Sequence, residues 1–249
     1  RETGSPQAIS AALNGLAKIA DMQGDFPTAQ AYAHESLSVA EKVGSQQGMA
    51  IAQNRLGRIA RQLGNYYEAR ALHEKSMALA RSIKNVPITA LTMNRLGEIA
   101  ADEGDYESAT RYYLEALPIH REMKDPYYIA DNLCYLAEAA LKMHEQSQAF
   151  IYMNEALALA WQIQAVVLSL QILTCYARLY VAKAWFTHAA ELWGFLTGYS
   201  ALLAQVARTV QALAPDLEAQ LSPEAFRIAV ERGKALPLET IVDELLGNP

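Results

Sequence analysis

One seven-residue pattern returns along this chain at intervals of forty residues. Residues 54–60 read NRLGRIA, and residues 94–100 read NRLGEIA. Related segments lie at 14–20 and 134–140, and a weaker one lies near 176–179. A fixed period of this size is typical of a solenoid, in which each repeat buries its apolar face only against neighbouring repeats. The chain is therefore expected to fold as a stack of repeats.

Each repeat contains two helical patterns joined by a short turn. In the second repeat, apolar residues recur at helical spacing on both sides of residues 64–66, Gly-Asn-Tyr. The same kind of turn stands at 24–26 and 104–106. Glycine accepts the left-handed conformation that ends the first helix, and Asp or Asn caps the second. Each repeat is therefore predicted to be a helix hairpin.

Two features depart from this regularity. The fourth and fifth repeats lack the glycine of the turn, since residues 143–145 read MHE and residues 183–185 read KAW. Pro118 lies within the second helical pattern of the third repeat, where the ring removes a hydrogen-bond donor and clashes with the preceding turn. The sequence predicts that Pro118 kinks or splits this helix.

Small residues fill two columns of the repeat, where helices must approach closely. These columns are Ala17, Gly57, Gly97, Ala137, Ala177 and Ala29, Ala69, Ala109, Ala149, Ala189. With Leu56-Gly57 and the Gly-Asn-Tyr turn, they resemble the tetratricopeptide repeat. The resemblance implies an all-α fold, a right-handed α-solenoid of helix hairpins. It places five repeats, the last two degenerate, in residues 1–200 and a C-terminal helical cap in residues 201–249.

The longer repeat and the tail resemble particular members of this family. Repeats of forty residues are longer than the common form and resemble those of kinesin light chains and bacterial signalling ATPases. Residues 223–226 (PEAF) and 231–239 (ERGKALPLE) look like the end of bacterial regulators of the STAND class, the signal-transduction ATPases with numerous domains, and of the LuxR type. This resemblance implies a sensor region that follows a nucleotide-binding switch domain. Because the sequence begins with Arg1, it is interpreted as a piece of such a protein.

Composition argues against several other classes of function. A net charge of −6 and the lack of a long apolar run predict a cytoplasmic protein with no membrane contact and no direct nucleic-acid binding. Cys134 and Cys175 lie in apolar helical patterns and are predicted to be buried, reduced thiols. No catalytic motif or metal-ligand spacing stands out. We therefore expect no enzyme activity, no metal and no cofactor.

The candidate binding site lies on the first helices, which line the concave groove of a tetratricopeptide stack. Asn14, Asn54 and Asn94 share one register, and the resemblance to kinesin light chains implies that such amides hold the backbone of an extended peptide. Each carboxamide offers one donor group and one acceptor, as a peptide group does. The alternative is that these amides bond to the neighbouring repeat.

Basic residues lie beside the amides in an otherwise acidic protein. They are Lys18, Arg55, Arg58, Arg61 and Arg95. Guanidinium groups suit bidentate pairing, so the pattern favours an acidic peptide, unless some pair internally with Glu98, Asp102 or Glu103. The sequence thus predicts a non-catalytic, peptide-binding sensor for a bacterial signalling ATPase or transcription regulator. A constitutive scaffold and a dimerisation module are the alternatives, and the second leaves a homo-oligomer open.

Overall fold

The computed structural model describes residues 5–199 and 204–247 and builds them from α-helices. In chain order these are α1 (Pro6–Met22), α2 (Phe26–Lys42), α3 (Gln46–Gln62), α4 (Tyr66–Ser82), α5 (Val86–Asp102), α6 (Tyr106–Glu122), α7 (Pro126–Lys142), α8 (Gln146–Gln162), α9 (Val166–Ala182), α10 (Phe186–Thr197), α11 (Ala204–Gln211), α12 (Ala214–Gln220), α13 (Pro223–Ala235) and α14 (Leu238–Gly247).

Helices α1 to α9 are equal in length and evenly spaced. Each has 17 residues, and the next helix begins after a three-residue turn, so helices start every 20 residues from Pro6 to Phe186. The middle residue of each turn has a positive φ, as at Gly24 (77°) and Gly64 (80°). At the first turn, the Asp25 amide donates to the Ala20 carbonyl, which satisfies an orphan acceptor at the helix end. The repeat of forty residues is thus two equal halves.

The turns do not need glycine to form. Lys84, Lys124, His144, Gln164 and Ala184 all occupy the same left-handed place, with φ between 53° and 62°. The fourth and fifth hairpins, which lack the glycine signal, therefore have the same turn as the others. A side chain in this conformation is strained, because Cβ approaches the following carbonyl oxygen.

Replacing Lys84 with glycine is expected to stabilise the protein by about 1 kcal/mol, because it relieves the strain at φ 54°. Urea denaturation would measure the change. Lys75→Gly is the matched control, since Lys75 is also exposed but lies in the middle of α4. That variant should lose about 0.5 to 1 kcal/mol. Equal losses in both variants would contradict the interpretation of the turn.

Pro118 does not split its helix. Helix α6 runs without interruption from Tyr106 to Glu122 and contains Pro118 four residues before its end. Proline costs the helix one hydrogen bond, but α6 packs along α5, and this tertiary packing holds the helix together. The alternative of a split helix was therefore wrong, and the alternative of a kink stays a prediction.

The chain divides into two compact units, Arg1–Met123 and Lys124–Pro249. Unit 1 contains three hairpins, α1/α2, α3/α4 and α5/α6, and its first helices lie side by side in the order α1, α3, α5. Unit 2 contains the hairpins α7/α8 and α9/α10, followed by α11 to α14. Helix α13 packs against α10, and α14 contacts α8. Within each unit, the predicted all-α fold of stacked helix hairpins is confirmed.

Glycine permits the closest helix contacts in both units. In unit 1, a Cβ on Gly57 would lie 2.7 Å from Nε2 of His73, and one on Gly97 would overlap the ring of Tyr113. In both hairpins, a glycine on the first helix thus makes room for a larger side chain on the second helix. In unit 2, Gly194 of α10 lies against the backbone of Val230 in α13. The small residues are needed for space.

Candidate binding face on the first helices

The eight residues predicted to bind a ligand all lie on α1, α3 and α5 of unit 1. The three asparagines are buried, while the basic residues are partly or fully exposed. We call the surface formed by the basic side chains the first-helix face; its members are Lys18, Arg55, Arg58, Arg61 and Arg95. The asparagines lie beneath this face, within the packing of the helices.

The amides of two asparagines are engaged inside unit 1. Asn54 Nδ2 donates to Thr92 Oγ1 on the next first helix at 2.9 Å, and Asn94 Nδ2 lies 3.4 Å from Nε2 of His120. Asn14 Oδ1 is buried without a hydrogen-bond partner. The Asn54 contact is the bond to a neighbouring repeat that the sequence left open. It uses one of the two N–H donors of this amide, and contact with a ligand stays a prediction.

Asp21 holds the N-terminal part of the first-helix face together. Its carboxylate is 2% exposed, and it pairs with Arg58 and, at 3.6 Å, with Arg55. The side chains of Arg58 and Arg55 remain 24% and 20% exposed. Burial, followed by the charge of Arg95, lowers the pKa of Arg55 from its ordinary value. One buried carboxylate thus anchors two arginines that still reach solvent.

A second cluster joins α3 to α5. Arg61 pairs with Glu98 and donates from Nε to Asp102 at 2.6 Å, while Arg95 pairs with Glu98 from within its own helix. Glu98 is 3% exposed, so its charge is compensated by two arginines rather than by water. The internal pairing of Arg61 with Glu98 and Asp102 is the alternative that the sequence analysis left open.

His73 lies behind these charges, on α4. It is completely buried, and neither ring nitrogen has a hydrogen-bond partner. Burial is the main cause that lowers the pKa of His73 to about 3; Arg95 and Arg61 lower it further, and Glu98 opposes them. The imidazole is therefore neutral at physiological pH and acts as a packing group opposite Gly57.

Asp21 was not predicted as a site residue, although the spacing to its partner Arg58 recurs in the next repeat. Three of the ion pairs between adjacent first helices join residues that are 37 or 41 positions apart. Asp21 with Arg58 and Arg61 with Glu98 follow the first spacing, and Arg61 with Asp102 follows the second. These offsets are the repeat length minus three and plus one, which are neighbouring places on a helical face. Scanning opposite charges at these spacings would have found Asp21.

Unit 2 contains a cavity of about 920 Å³ between α8, the turn from α9 to α10, and α14. Aromatic side chains line it, and Lys183 Nζ lies 4.9 Å from the ring centroid of Trp185 and 5.5 Å from that of Phe150. Burial and the charge of Glu244 raise the pKa of Tyr180 in its wall. The volume is within the range of small-molecule sites, but the chain's own ammonium already occupies the aromatic faces.

Comparison with known families places this geometry among tetratricopeptide repeats. Residues 48–122 and 88–160 match the family model of the tetratricopeptide repeat. Residues 48–160 therefore carry tetratricopeptide repeats, and the resemblance of this part of the sequence to that repeat is confirmed. No curated protein sequence matches the chain.

Solved structures share the fold at low sequence identity. The chain is similar to BtubC (BKLC) from P. vanneervenii, with a TM-score of 0.62, 18% identity and coverage of 84% of this chain and 82% of that one. A putative kinesin light chain of Podosopora anserina gives a TM-score of 0.59 at 19% identity, with coverage of 86% and 99%. A STAND protein with a tetratricopeptide repeat sensor from Pyrococcus horikoshii gives a TM-score of 0.66 at 16% identity.

The match to the STAND protein covers 99% of this chain but only 39% of that one. This likeness shows the fold of the repeat region alone. Among the described helices, none is long and apolar enough to cross a membrane.

Proposed function

We propose that the first-helix face binds an acidic segment of a partner protein without catalysing a reaction. The observation that carries the proposal is the row of arginines on α3 and α5, each about one-fifth exposed. Four guanidinium groups, of Arg55, Arg58, Arg61 and Arg95, share three carboxylates, of Asp21, Glu98 and Asp102. These seven named side chains alone sum to one positive charge, to which Lys18 on α1 adds another.

The internal carboxylates define how such a ligand would bind. An incoming carboxylate must replace Asp21 or Asp102 as the partner of a guanidinium group. Because that group already has a partner, the gain in binding free energy per contact is smaller than for an unpaired arginine. In return, the internal pairs hold the arginines in place before binding, which lowers the entropy cost of ordering long side chains. Moderate affinity with a strong dependence on salt is the expected result.

Peptide binding tests the proposal through opposite effects of two variants. Isothermal titration calorimetry with a glutamate-rich peptide should show saturable binding that weakens about tenfold in Arg58→Ala. Asp21→Asn should strengthen binding severalfold, because it removes the internal competitor for Arg55 and Arg58. Arg81→Ala, on the exposed end of α4, is the matched charge control and should bind as the wild type does.

A matched peptide with glutamine in place of glutamate should bind at least about tenfold more weakly. Equal affinity of both peptides, or weaker binding by Asp21→Asn when that variant is folded, would overturn the role of charge. Asn54→Ala with Asn94→Ala separates the amides from the arginines. We expect that double variant to lose stability rather than specific affinity, because both amides have partners inside unit 1.

We further propose that the chain is the sensor region of a bacterial, cytoplasmic STAND-class ATPase or LuxR-type transcription regulator. The likeness in fold to the sensor of the Pyrococcus horikoshii protein supports this context. Occupancy of the first-helix face then changes the packing of repeats on an upstream switch domain, provided that the ligand prefers one arrangement. Helices α11 to α14, the described part of the predicted cap at residues 201–249, serve as the cap of the repeat stack; the predicted boundary between residues 200 and 201 lies outside the described residues.

The full-length protein provides the test of this context. Its nucleotide hydrolysis should change when the acidic peptide is added, and Arg58→Ala should abolish the response while leaving the basal rate intact. A full-length sequence without a phosphate-binding loop would overturn the switch role. Peptide binding by the isolated chain would be unaffected by that outcome.

A further inference from the structure

Unit 2 brings both cysteines of the chain together with a carboxylate. Cys134 and Glu138 lie on α7, and Cys175 lies on α9. One ligand atom from each residue lies within 4.8 Å of the other two. Cys175 Sγ is 3.8 Å from Glu138 Oε1. The sequence showed no metal-ligand spacing because these residues come from different repeats.

The fold fixes this arrangement through the same spacings that pair the charges of unit 1. Cys175 is 37 positions from Glu138 and 41 from Cys134, as Arg61 is from Glu98 and Asp102. Cys134 and Glu138 are one helical turn apart, so their side chains share a face of α7. The trio is therefore held by two packed helices rather than by loops.

Burial distinguishes the members of the trio. Cys175 is fully buried and Cys134 is 6% exposed, whereas Glu138 is intermediate and reaches the surface. Solvent and ions can thus approach from the carboxylate side, while the two sulfur atoms lie in a site with little water. Low water content strengthens the attraction between a divalent cation and anionic ligands.

The donor set suits a thiophilic metal ion. Zinc binds thiolates at about 2.3 Å and carboxylate oxygen at about 2.0 to 2.2 Å, usually with tetrahedral geometry. Such a centre places two sulfur ligands roughly 3.8 Å apart. The ligand atoms of this trio lie within 4.8 Å of one another, so this sulfur-to-sulfur distance fits that limit. Two thiolates and a carboxylate favour Zn²⁺ and similar soft ions over Mg²⁺ or Ca²⁺.

We propose that Cys134, Glu138 and Cys175 form a binding site for a thiophilic divalent cation of the zinc type, which ties α7 to α9. Binding of one M²⁺ displaces the two thiol protons to solvent, and the ligands are then two thiolates and one carboxylate. A water molecule on the Glu138 side completes four coordination. The site is independent of the first-helix face, since its residues all lie in unit 2.

Spectroscopy with Cd²⁺ and Co²⁺ tests the site in the whole chain, which is first reduced and then freed of reductant by anaerobic gel filtration. Cd²⁺ should produce ultraviolet thiolate-to-metal charge-transfer absorption that saturates at one ion per chain. Co²⁺ should give the visible absorption of a tetrahedral thiolate complex. Glu138→Gln should weaken binding about tenfold, and Cys134→Ala and Cys175→Ala about 100-fold or more.

The histidines do not interfere, because these charge-transfer bands require thiolate and the chain has only two cysteines. If an alanine variant fails to fold, the wild type still gives a decisive measurement. Bound Cd²⁺ should slow the reaction of both thiols with a thiol reagent and raise the unfolding temperature, and a chelator should reverse both effects. No charge-transfer absorption in folded, reduced wild type, or the same bands in folded alanine variants, would overturn the proposal.

Discussion

Gly233→Ala is expected to remove about 3 kcal/mol or more of the stability of unit 2. A Cβ on Gly233 would overlap the carbonyl oxygen of Glu191 in α10 and lie 3.1 Å from its Cα. The obstacle is backbone, so α13 and α10 must separate instead of a side chain turning aside. Gly194 of α10 also packs closely against the backbone of Val230 in α13, so the two helices cannot slide past each other to make room for the added methyl group.

Urea denaturation measures the loss, and tryptophan fluorescence locates it. Trp193 of α10 donates to the Val210 carbonyl and packs on Phe226 of α13, with ring centroids 5.5 Å apart. Separation of the helices should therefore change its emission. Gly15→Ala is the matched control: no atom lies within 4 Å of its Cβ, and it should gain about 1 kcal/mol in α1. Wild-type stability in Gly233→Ala would show that α10 and α13 do not pack this closely.

Acid is expected to destabilise unit 1 through His73. The folded state lowers the pKa of this residue from 6.5 to about 3, so the folded protein excludes a proton that the unfolded chain binds. The stabilising contribution is complete above pH 6.5 and is lost progressively as the pH falls towards 3. At pH 5 the loss from His73 should be about 2 kcal/mol.

His73→Met isolates this effect, since methionine occupies the equivalent place, Met153, in the fourth repeat. Free energies of unfolding measured between pH 8 and pH 5 should fall more steeply in the wild type than in this variant, by about 2 kcal/mol. His34→Met, on an exposed position of α2, should keep the wild-type slope. Parallel curves for wild type and His73→Met would contradict a neutral, buried His73.

Local signals in the sequence were sufficient to predict the hairpins. The glycine turns, the caps at Asp25 and Asp105 and the columns of small residues each depend on neighbours within one repeat, so they can be read without the tertiary structure. The predicted cap at Asn65 was wrong, because its side chain makes no hydrogen bond to the start of α4. The turns at His144 and Ala184 carry no such signal. They form because both flanking helices have partners, and this packing outweighs the strain of a positive φ.

The details of the candidate site depended on contacts between repeats. Arg55 and Arg58 were predicted to form a basic surface, but Asp21 on the preceding helix neutralises part of their charge. The buried state of His73 likewise depends on Gly57, 16 positions away on another helix. Such partners are separated in sequence by a turn or by a repeat. Which side chains meet can be predicted only when the offset in sequence between packed helices is known.

The even spacing of the turns also limits how this chain can change in length. Removing one helix and its turn, 20 residues, would place a second-helix sequence where a first helix must pack. Large residues such as Met77 and Leu117, each 20 positions after one of these glycines, would then fall where Gly57 or Gly97 now gives space. Removing 40 residues keeps every small residue opposite its large partner. Whole hairpins are therefore the modules in which this fold can be shortened, duplicated or exchanged between proteins without rebuilding its interior.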